Sequence, residues 1–251
     1  DEVSKVSPSI IPKDTDRPCY RVLDDPHEEG DAKYRAGVWY FGIKPGRGEA
    51  PPTLVQQWVC SPIHVEAVTT DPSAGNYGRL LRFKTTLGNW RTWAMPMDLL
   101  RGDCSDLRGE LLSMGVEIDP HGRQMLASYL QSFVPKRRMQ CALQTGWAGA
   151  DFKAFVLPDD VIGPKAPAVT YQTGERGHDE YTTAGTLEGW RKGIAAMAVG
   201  NPLLTLAIST GFAGPVLARC NVESGGIHFI GDSSTGKTTA IEAACSVWGG
   251  P

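Results

Sequence analysis

The chain is poor in most of the features that assign a function from composition alone. Aromatic residues make up 8% of its 251 positions, and the formal net charge is −3. A balance this close to neutral gives no global electrostatic footprint for nucleic acid or an anionic surface. No C-x-x-C pair is present. The six cysteines, Cys19, Cys60, Cys104, Cys141, Cys220 and Cys245, are scattered, which excludes a zinc-ribbon spacing and a secreted disulfide scaffold. Cys60 and His64 are four apart but lack further ligands at metal spacing. Buried free thiols in a reducing cytoplasm are therefore expected. Long hydrophobic runs are missing too. The longest weakly polar stretch, 202–218, is interrupted by Ser209, Thr210, Gly211, Gly214 and Pro215, and neither a membrane span nor a membrane partner is expected. The chain opens at Asp1 with no initiator Met and no signal-like segment, so it reads as a piece of a longer protein.

What is present is ordinary globular material, 41% hydrophobic and 21% charged, enough for one large domain or two smaller ones. Charge is uneven along it. From Arg79 to Arg138 there are ten Lys/Arg against six Asp/Glu, so one basic face is compatible with the acidic total.

The sharpest signal is Gly231-Asp-Ser-Ser-Thr-Gly-Lys-Thr238, a match to the phosphate-binding (Walker A) pattern G-x-x-x-x-G-K-[ST]. A triphosphate needs donors for a dense set of oxygens. A glycine-bearing turn points main-chain N–H groups inward, and the helix after it adds the positive end of its dipole. Lys237 would reach the β- and γ-phosphates of ATP, and Thr238 would offer its hydroxyl to Mg²⁺. Asp232, Ser233, Ser234, Thr235, Gly236 and Thr239 complete the candidate loop. Its flanks suit the role: Ile227-His-Phe-Ile230 reads as a buried strand, and Thr238–Cys245 as a helix.

The rest of the chain divides into a lead-in (1–35), an α+β module (36–180) and a helical approach to the loop (181–251). The lead-in is polar and proline-punctuated, with Tyr20, Val22 and Leu23 placed for one edge strand. Strands are expected over 37–43, 54–60, 64–70, 79–86 and 89–95, the last two joined at Leu87-Gly88, as an antiparallel meander. Leu81 and Phe83 face one side and Arg82 and Lys84 the other. Two helices come next. The first is capped by Ser105, carries Leu107, Leu111 and Leu112, and stops at Gly115. The second is capped by Asp119 with Pro120 at its first position, and presents Leu126, Tyr129, Leu130 and Phe133. Lys136-Arg137-Arg138 is read at its end. Further strands are expected over 139–145, 152–157 and 169–172, then a polar boundary at 173–185. Thr186 caps a helix with Leu187, Trp190, Ile194 and Met197 on one face, and Asn201-Pro202 opens another that runs to about residue 219.

Several of these segments together resemble one known family. They are Arg17-Pro-Cys-Tyr-Arg-Val-Leu23, Cys60-Ser-Pro, Trp93-Ala-Met-Pro-Met97, Leu107 to Pro120, Gly146-Trp147 and Phe155-Val-Leu-Pro158. Gly185-Thr-Leu-Glu-Gly-Trp-Arg191, Gly200-Asn201 and Phe212-Ala-Gly-Pro215 come after them. The strongest stretch runs from Glu223 through the loop to Ser246-Val-Trp-Gly-Gly250. Their order is similar to that of the domain of unknown function 927 family, found in primase-helicases of phages, plasmids and integrative elements. The resemblance implies a fold class of α+β: an antiparallel β-rich module with helices, then the truncated start of an α/β, AAA+-like motor. It implies an ATP-dependent DNA helicase in a bacterial cytoplasm, a primase domain or subunit as partner, and a homo-oligomeric ring. The acidic Walker B strand, the sensors and the arginine finger have no counterpart in the chain. The loop is thus expected to be half a site, with weak affinity by itself and no catalytic residue.

Other candidates carry plainer alternatives. Lys136, Arg137 and Arg138 suit a DNA backbone or a solvated helix end. Trp90-Arg91-Thr92-Trp93 suits base stacking, with Arg91 as a DNA contact, or a strand core. His228 reads as a core histidine, and Asp159-Asp160 as a turn. The alternatives to a motor are a non-catalytic DNA-binding or partner-docking module and, more weakly, a small-molecule kinase.

Overall fold

The computed structural model describes residues 9–46, 51–158, 160–173 and 183–249. The chain forms two compact units, Asp1–Leu143 with Gln172–Glu175, and Gln144–Tyr171 with Arg176–Pro251. The stretch 144–171 thus groups with the helical segment that leads to the loop.

In the first unit β1 (Cys19–Leu23), β4 (Gly37–Lys44) and β5 (Thr53–Cys60) form one antiparallel sheet, and β2 (His27–Glu29) pairs with β3 (Ala32–Tyr34) in the intervening hairpin. The lead-in therefore supplies the expected edge strand. In a second sheet β6 (Ile63–Thr70), β7 (Gly78–Lys84) and β8 (Trp90–Pro96) run antiparallel, and β9 (Arg138–Ala142) adds in parallel to β6. The meander is thus divided between two sheets. Gln172 links β9 and β8: its N–H donates to Ala142 O at 2.9 Å, and it forms a parallel bridge to Ala94.

Period-two patterning fixes which face is buried. Leu81 and Phe83 are fully buried, with Val38, Val59, Ile63 and Met95 in the same core, beneath α1 (Ser105–Ser113) and α2 (Arg123–Ser132). Leu107, Leu111, Leu126, Tyr129 and Leu130 are the helix side of this core. Leu112 and Phe133 are each 51% exposed, because each lies at the edge of its helix's apolar stripe. The stop at Gly115 is a Schellman turn: Val116 N–H donates to Leu111 O, Gly115 N–H to Leu112 O, and Gly115 takes φ +85°.

Both expected caps differ from the structure. Helix α1 includes Ser105, whose N–H is met by the Asp103 carboxylate at 3.2 Å. Helix α2 starts three residues beyond Pro120, because Asp119 is engaged in an Asx turn: its Oδ1 accepts from His121 N–H at 2.9 Å and its carbonyl from Gly122 N–H. Asp119 Oδ2 accepts from Gln57 Nε2 at 2.8 Å, which ties this turn to β5.

In the second unit the short strands β10 (Gly146–Trp147), β11 (Phe155–Val156) and β12 (Val161–Ile162) form an antiparallel sheet, and β13 (Val169–Tyr171) comes after them. Gly146-Trp147, and Val161-Ile162 within the second expected connection, therefore carry strand pairing. The expected boundary segment falls mostly outside the described residues, as does Asp159. The Asp160 side chain accepts from the N–H of Val161 and its carbonyl from the N–H of Leu157, as a turn residue's groups do. Thr186 caps α3 (Leu187–Trp190) by accepting from Gly189 N–H at 3.0 Å. A π-helical turn over Arg191–Ala195 precedes α4 (Ala196–Ala198). The wider turn rotates the residues after it about the helix axis, so Trp190 and Ile194 pack inward while Met197 is 71% exposed.

Asn201 caps α5 (Pro202–Cys220) at Leu204 N–H, 3.1 Å. By length and composition this 19-residue helix is apolar enough to cross a membrane, contrary to the reading of 202–218 as too interrupted. Its serine, threonine and glycine residues lower its hydropathy without breaking it, and Thr210 Oγ1 donates back to Leu206 O. Helix α6 (Lys237–Cys245) packs on α5 at Gly211, where an added Cβ would stand 2.6 Å from Ala244 O.

This packing sets the cost of a side chain at position 211. Gly211→Ala gains helix propensity but forces the helices apart, and should lower stability by about 1–3 kcal/mol. Gly214→Ala, in open space on the same helix, should raise it by about 0.5–1 kcal/mol; thermal unfolding of the two variants side by side checks the pair. The hydrogen bond from Gln57, helped by His121 N–H, holds the Asp119 carboxyl below its ordinary range. Its stabilisation is therefore complete above about pH 4 and lost as pH falls through the lowered folded value. Asp119→Asn should flatten the acid limb of the unfolding-temperature profile.

Candidate nucleotide-binding loop

Residues 231–236 lead directly into α6. Ser234 takes φ +62° and Gly236 φ +82°, left-handed values that a glycine accepts without strain and that turn the chain into the first helical residue, Lys237. The first intrahelical bond is Ala240 N–H to Gly236 O at 3.0 Å. Among the described residues, none accepts a hydrogen bond from a main-chain N–H of Asp232 to Thr239, as expected for a helix start awaiting an acceptor.

Lys237 is folded back over the loop. Its Nζ donates to Gly231 O at 2.9 Å, to Asp232 O and to Thr235 Oγ1 at 3.3 Å. Thr235 Oγ1 in turn donates to Asp232 O at 2.9 Å. The ammonium thus holds the turn closed from inside. Donors, helix dipole and cation together suit a polyphosphate, which needs all three at one place. Thr238 is exposed beside them. Among the described residues no cluster of three or more His, Cys, Asp or Glu stands ready to hold a metal.

The strand expected before the loop is not formed. Ile227 to Ile230 makes no sheet pairing, Ile230 is 87% exposed, and His228 is exposed rather than a core residue. A strand of this kind is stabilised by ladders on both sides, and no described strand lies beside it.

What positions α6 is a set of tryptophans. Pro215 lacks an N–H, which leaves the carbonyl of Gly211, four residues earlier, without its helical donor. Trp248 Nε1 donates to that carbonyl at 2.6 Å. Trp147 Nε1 donates to Pro215 O at 2.7 Å, and Trp190 Nε1 to Ser246 Oγ at 2.9 Å. A cavity of about 420 Å³ between Trp147, Phe155, Leu157, Pro215, Ala218 and Trp248 lies at the end of α6 away from Lys237. The sequence signal for these anchors is the proline inside an apolar helix four residues after a glycine.

The other sequence candidates are placed elsewhere. Helix α2 ends at Ser132, so Lys136, Arg137 and Arg138 do not close a helix; they lead into β9, where Val68 N–H donates to Arg137 O at 3.0 Å. Arg91 is exposed on β8. Trp93 is core, its Nε1 bonded to Thr173 O, and the Arg82 guanidinium lies 4.1 Å from the centre of the Trp90 ring, covering the surface a base would stack on. The basic face is partly neutralised: Arg82 pairs with Glu66 at 2.7 Å and Lys84 with Asp25 at 3.1 Å. Burial raises the Cys60 thiol pKa, and His64 Nε2 bonds Asp24 at 2.6 Å. All six cysteines are free, but Cys220 and Cys245 are exposed rather than buried.

A family model for a domain of unknown function (DUF927) matches residues 32–251. The chain belongs to that family. No curated protein matches it. A solved structure described as "SCCmec type IV Cch - active helicase" is similar in fold, with a TM-score of 0.53 and 22% identity over 85% of this chain. The chain spans 39% of that structure's length.

Removing the indole donor tests the anchor. Trp248→Phe keeps an aromatic ring but leaves Gly211 O unpaired, and should cost about 1–3 kcal/mol, read as a fall in the thermal midpoint.

Proposed function

We propose that this family member is part of an ATP-driven DNA helicase of a mobile element, with ATP held by residues 231–239. The observation that carries the reading is the loop itself: a Walker A sequence whose positive-φ glycine opens a helix and whose lysine already gathers loop oxygens. The fold it shares with a protein described as an active helicase supports the motor reading.

In this reading bound ATP would supply the γ-phosphoryl group, and Mg²⁺ the positive charge that offsets its oxygens. The main-chain N–H groups of Asp232 to Thr239 bind the phosphates, Lys237 leaves its carbonyl partners to meet the β- and γ-oxygens, and the Thr238 hydroxyl ligates the metal. Hydrolysis requires an acidic strand and an arginine from outside these residues, which suits a ring of identical subunits. DNA is the proposed track, and a primase domain or subunit the proposed partner.

The test is Lys237→Ala in the full-length protein. Loss of a charge-assisted contact of about 1.5–3 kcal/mol corresponds to roughly 10–100-fold weaker binding of an ATP analogue, with DNA-stimulated hydrolysis lost in parallel. Undiminished hydrolysis by the variant would end the proposal.

A further inference from the structure

Arg79 is out of place in the first unit. It is 7% exposed on β7, and a guanidinium does not deprotonate in proteins. Its Nη1 donates to the carbonyl of its neighbour Gly78 at 3.2 Å, while its buried Nε has no hydrogen-bond partner. Among the described residues no carboxylate stands at ion-pair distance from it. Burial first, and the like charge of Arg138 second, pull its pKa below the ordinary value.

The sheet register explains the meeting. Val68 on β6 pairs with Arg79 on β7 and with Arg138 on β9. Residues in one row of a sheet leave the same face, and strands stand about 4.8 Å apart, so the two arginine Cα atoms are about 10 Å apart across Val68. Two long cationic side chains can converge over that distance. Among the described residues, Arg138 Nη1 donates to the carbonyl oxygens of Pro135 and Arg137. Lys136, also exposed, continues the positive charge along the chain.

A buried cation without an anion destabilises a fold, and a second cation beside it adds to the penalty. An oxyanion seated between the two guanidinium groups relieves both, since their planar donor forks match phosphate oxygens. We propose that Arg79 and Arg138 form an oxyanion site on the first unit that takes a phosphate group of a nucleic-acid backbone, with Lys136 extending the contact. The exposed charge beyond the buried group favours an extended polyanion over a single ion. The inference rests on the nucleic-acid partner of the preceding reading but not on its nucleotide loop.

The test is a salt titration of the intact chain with a fluorescein-labelled oligothymidylate. Arg138→Gln and Arg79→Met should each weaken binding several-fold at low salt and reduce the slope of log affinity against log salt by about one. Arg79→Lys, which keeps the charge but not the planar fork, should weaken binding less than Arg79→Met without reaching the wild-type affinity, and Lys237→Ala should leave it unchanged. Inorganic phosphate should raise the unfolding temperature of the wild type more than chloride of equal ionic strength, and of Arg138→Gln no more than chloride does. If Arg79→Met does not fold, Arg138→Gln decides the question alone. Unchanged affinity and slope in the folded variants would overturn the site. Phosphate protection without oligonucleotide binding would overturn the nucleic-acid assignment in favour of a free oxyanion. Binding lost in Lys237→Ala alone would move the contact to the loop, and equal competition by a polyglutamate peptide would reduce it to general anion attraction.

Discussion

Everything around the phosphate-type loop depends on how closely α6 can approach α5. That approach is set at Gly211, which has no side chain to hold Ala244 away and whose carbonyl is freed by Pro215. The Trp248 indole takes the freed carbonyl, so one residue provides both the contact surface and the acceptor. A proline in the helix interior is normally a defect. Here it creates the acceptor that locks the chain after α6 to the helix before it, and the N-terminus of α6 inherits a fixed direction from that lock.

The loop is therefore not held as sequence patterns alone suggest. The usual picture suspends it between a buried strand and a helix, but Ile227 to Ile230 stands unpaired and exposed. The helix side carries the order. Lys237 supplements it from within by bonding the carbonyls that flank the turn. In the proposed reading a phosphate group would meet a loop already closed on its own cation, and would have to exchange one set of oxygen partners for another.

Structure is legible in this sequence wherever a single period governs. The alternation around Leu81 and Phe83, the stripe Leu107-Leu111, the stop at Gly115 and the caps Thr186 and Asn201 are local decisions, and local rules reach them. The turn at Gly236 into α6 is local in the same way. Features that depend on distant partners are not. Asp119 has the sequence setting of a helix cap, but Gln57 and its own Asx turn claim it. Lys136 to Arg138 have the setting of a helix end, but pairing with β6 draws the chain into a strand. Arg79 lies on the buried parity of its strand, in step with Leu81 and Phe83, and becomes an oddity only when register sets Arg138 beside it.

The π turn at Arg191–Ala195 bears on the length of the chain as well as its shape. A π turn takes one more residue than an α turn to cover a similar advance along the axis. A relative that keeps Trp190 against Ser246 and Ala198 in the helical core, but holds this stretch as regular α-helix, would do so with one residue fewer between Thr186 and Ala198. In a sequence comparison that difference would look like a gap inside a helix, where gaps are ordinarily taken as misalignment, and it should instead be placed at residues 191–195.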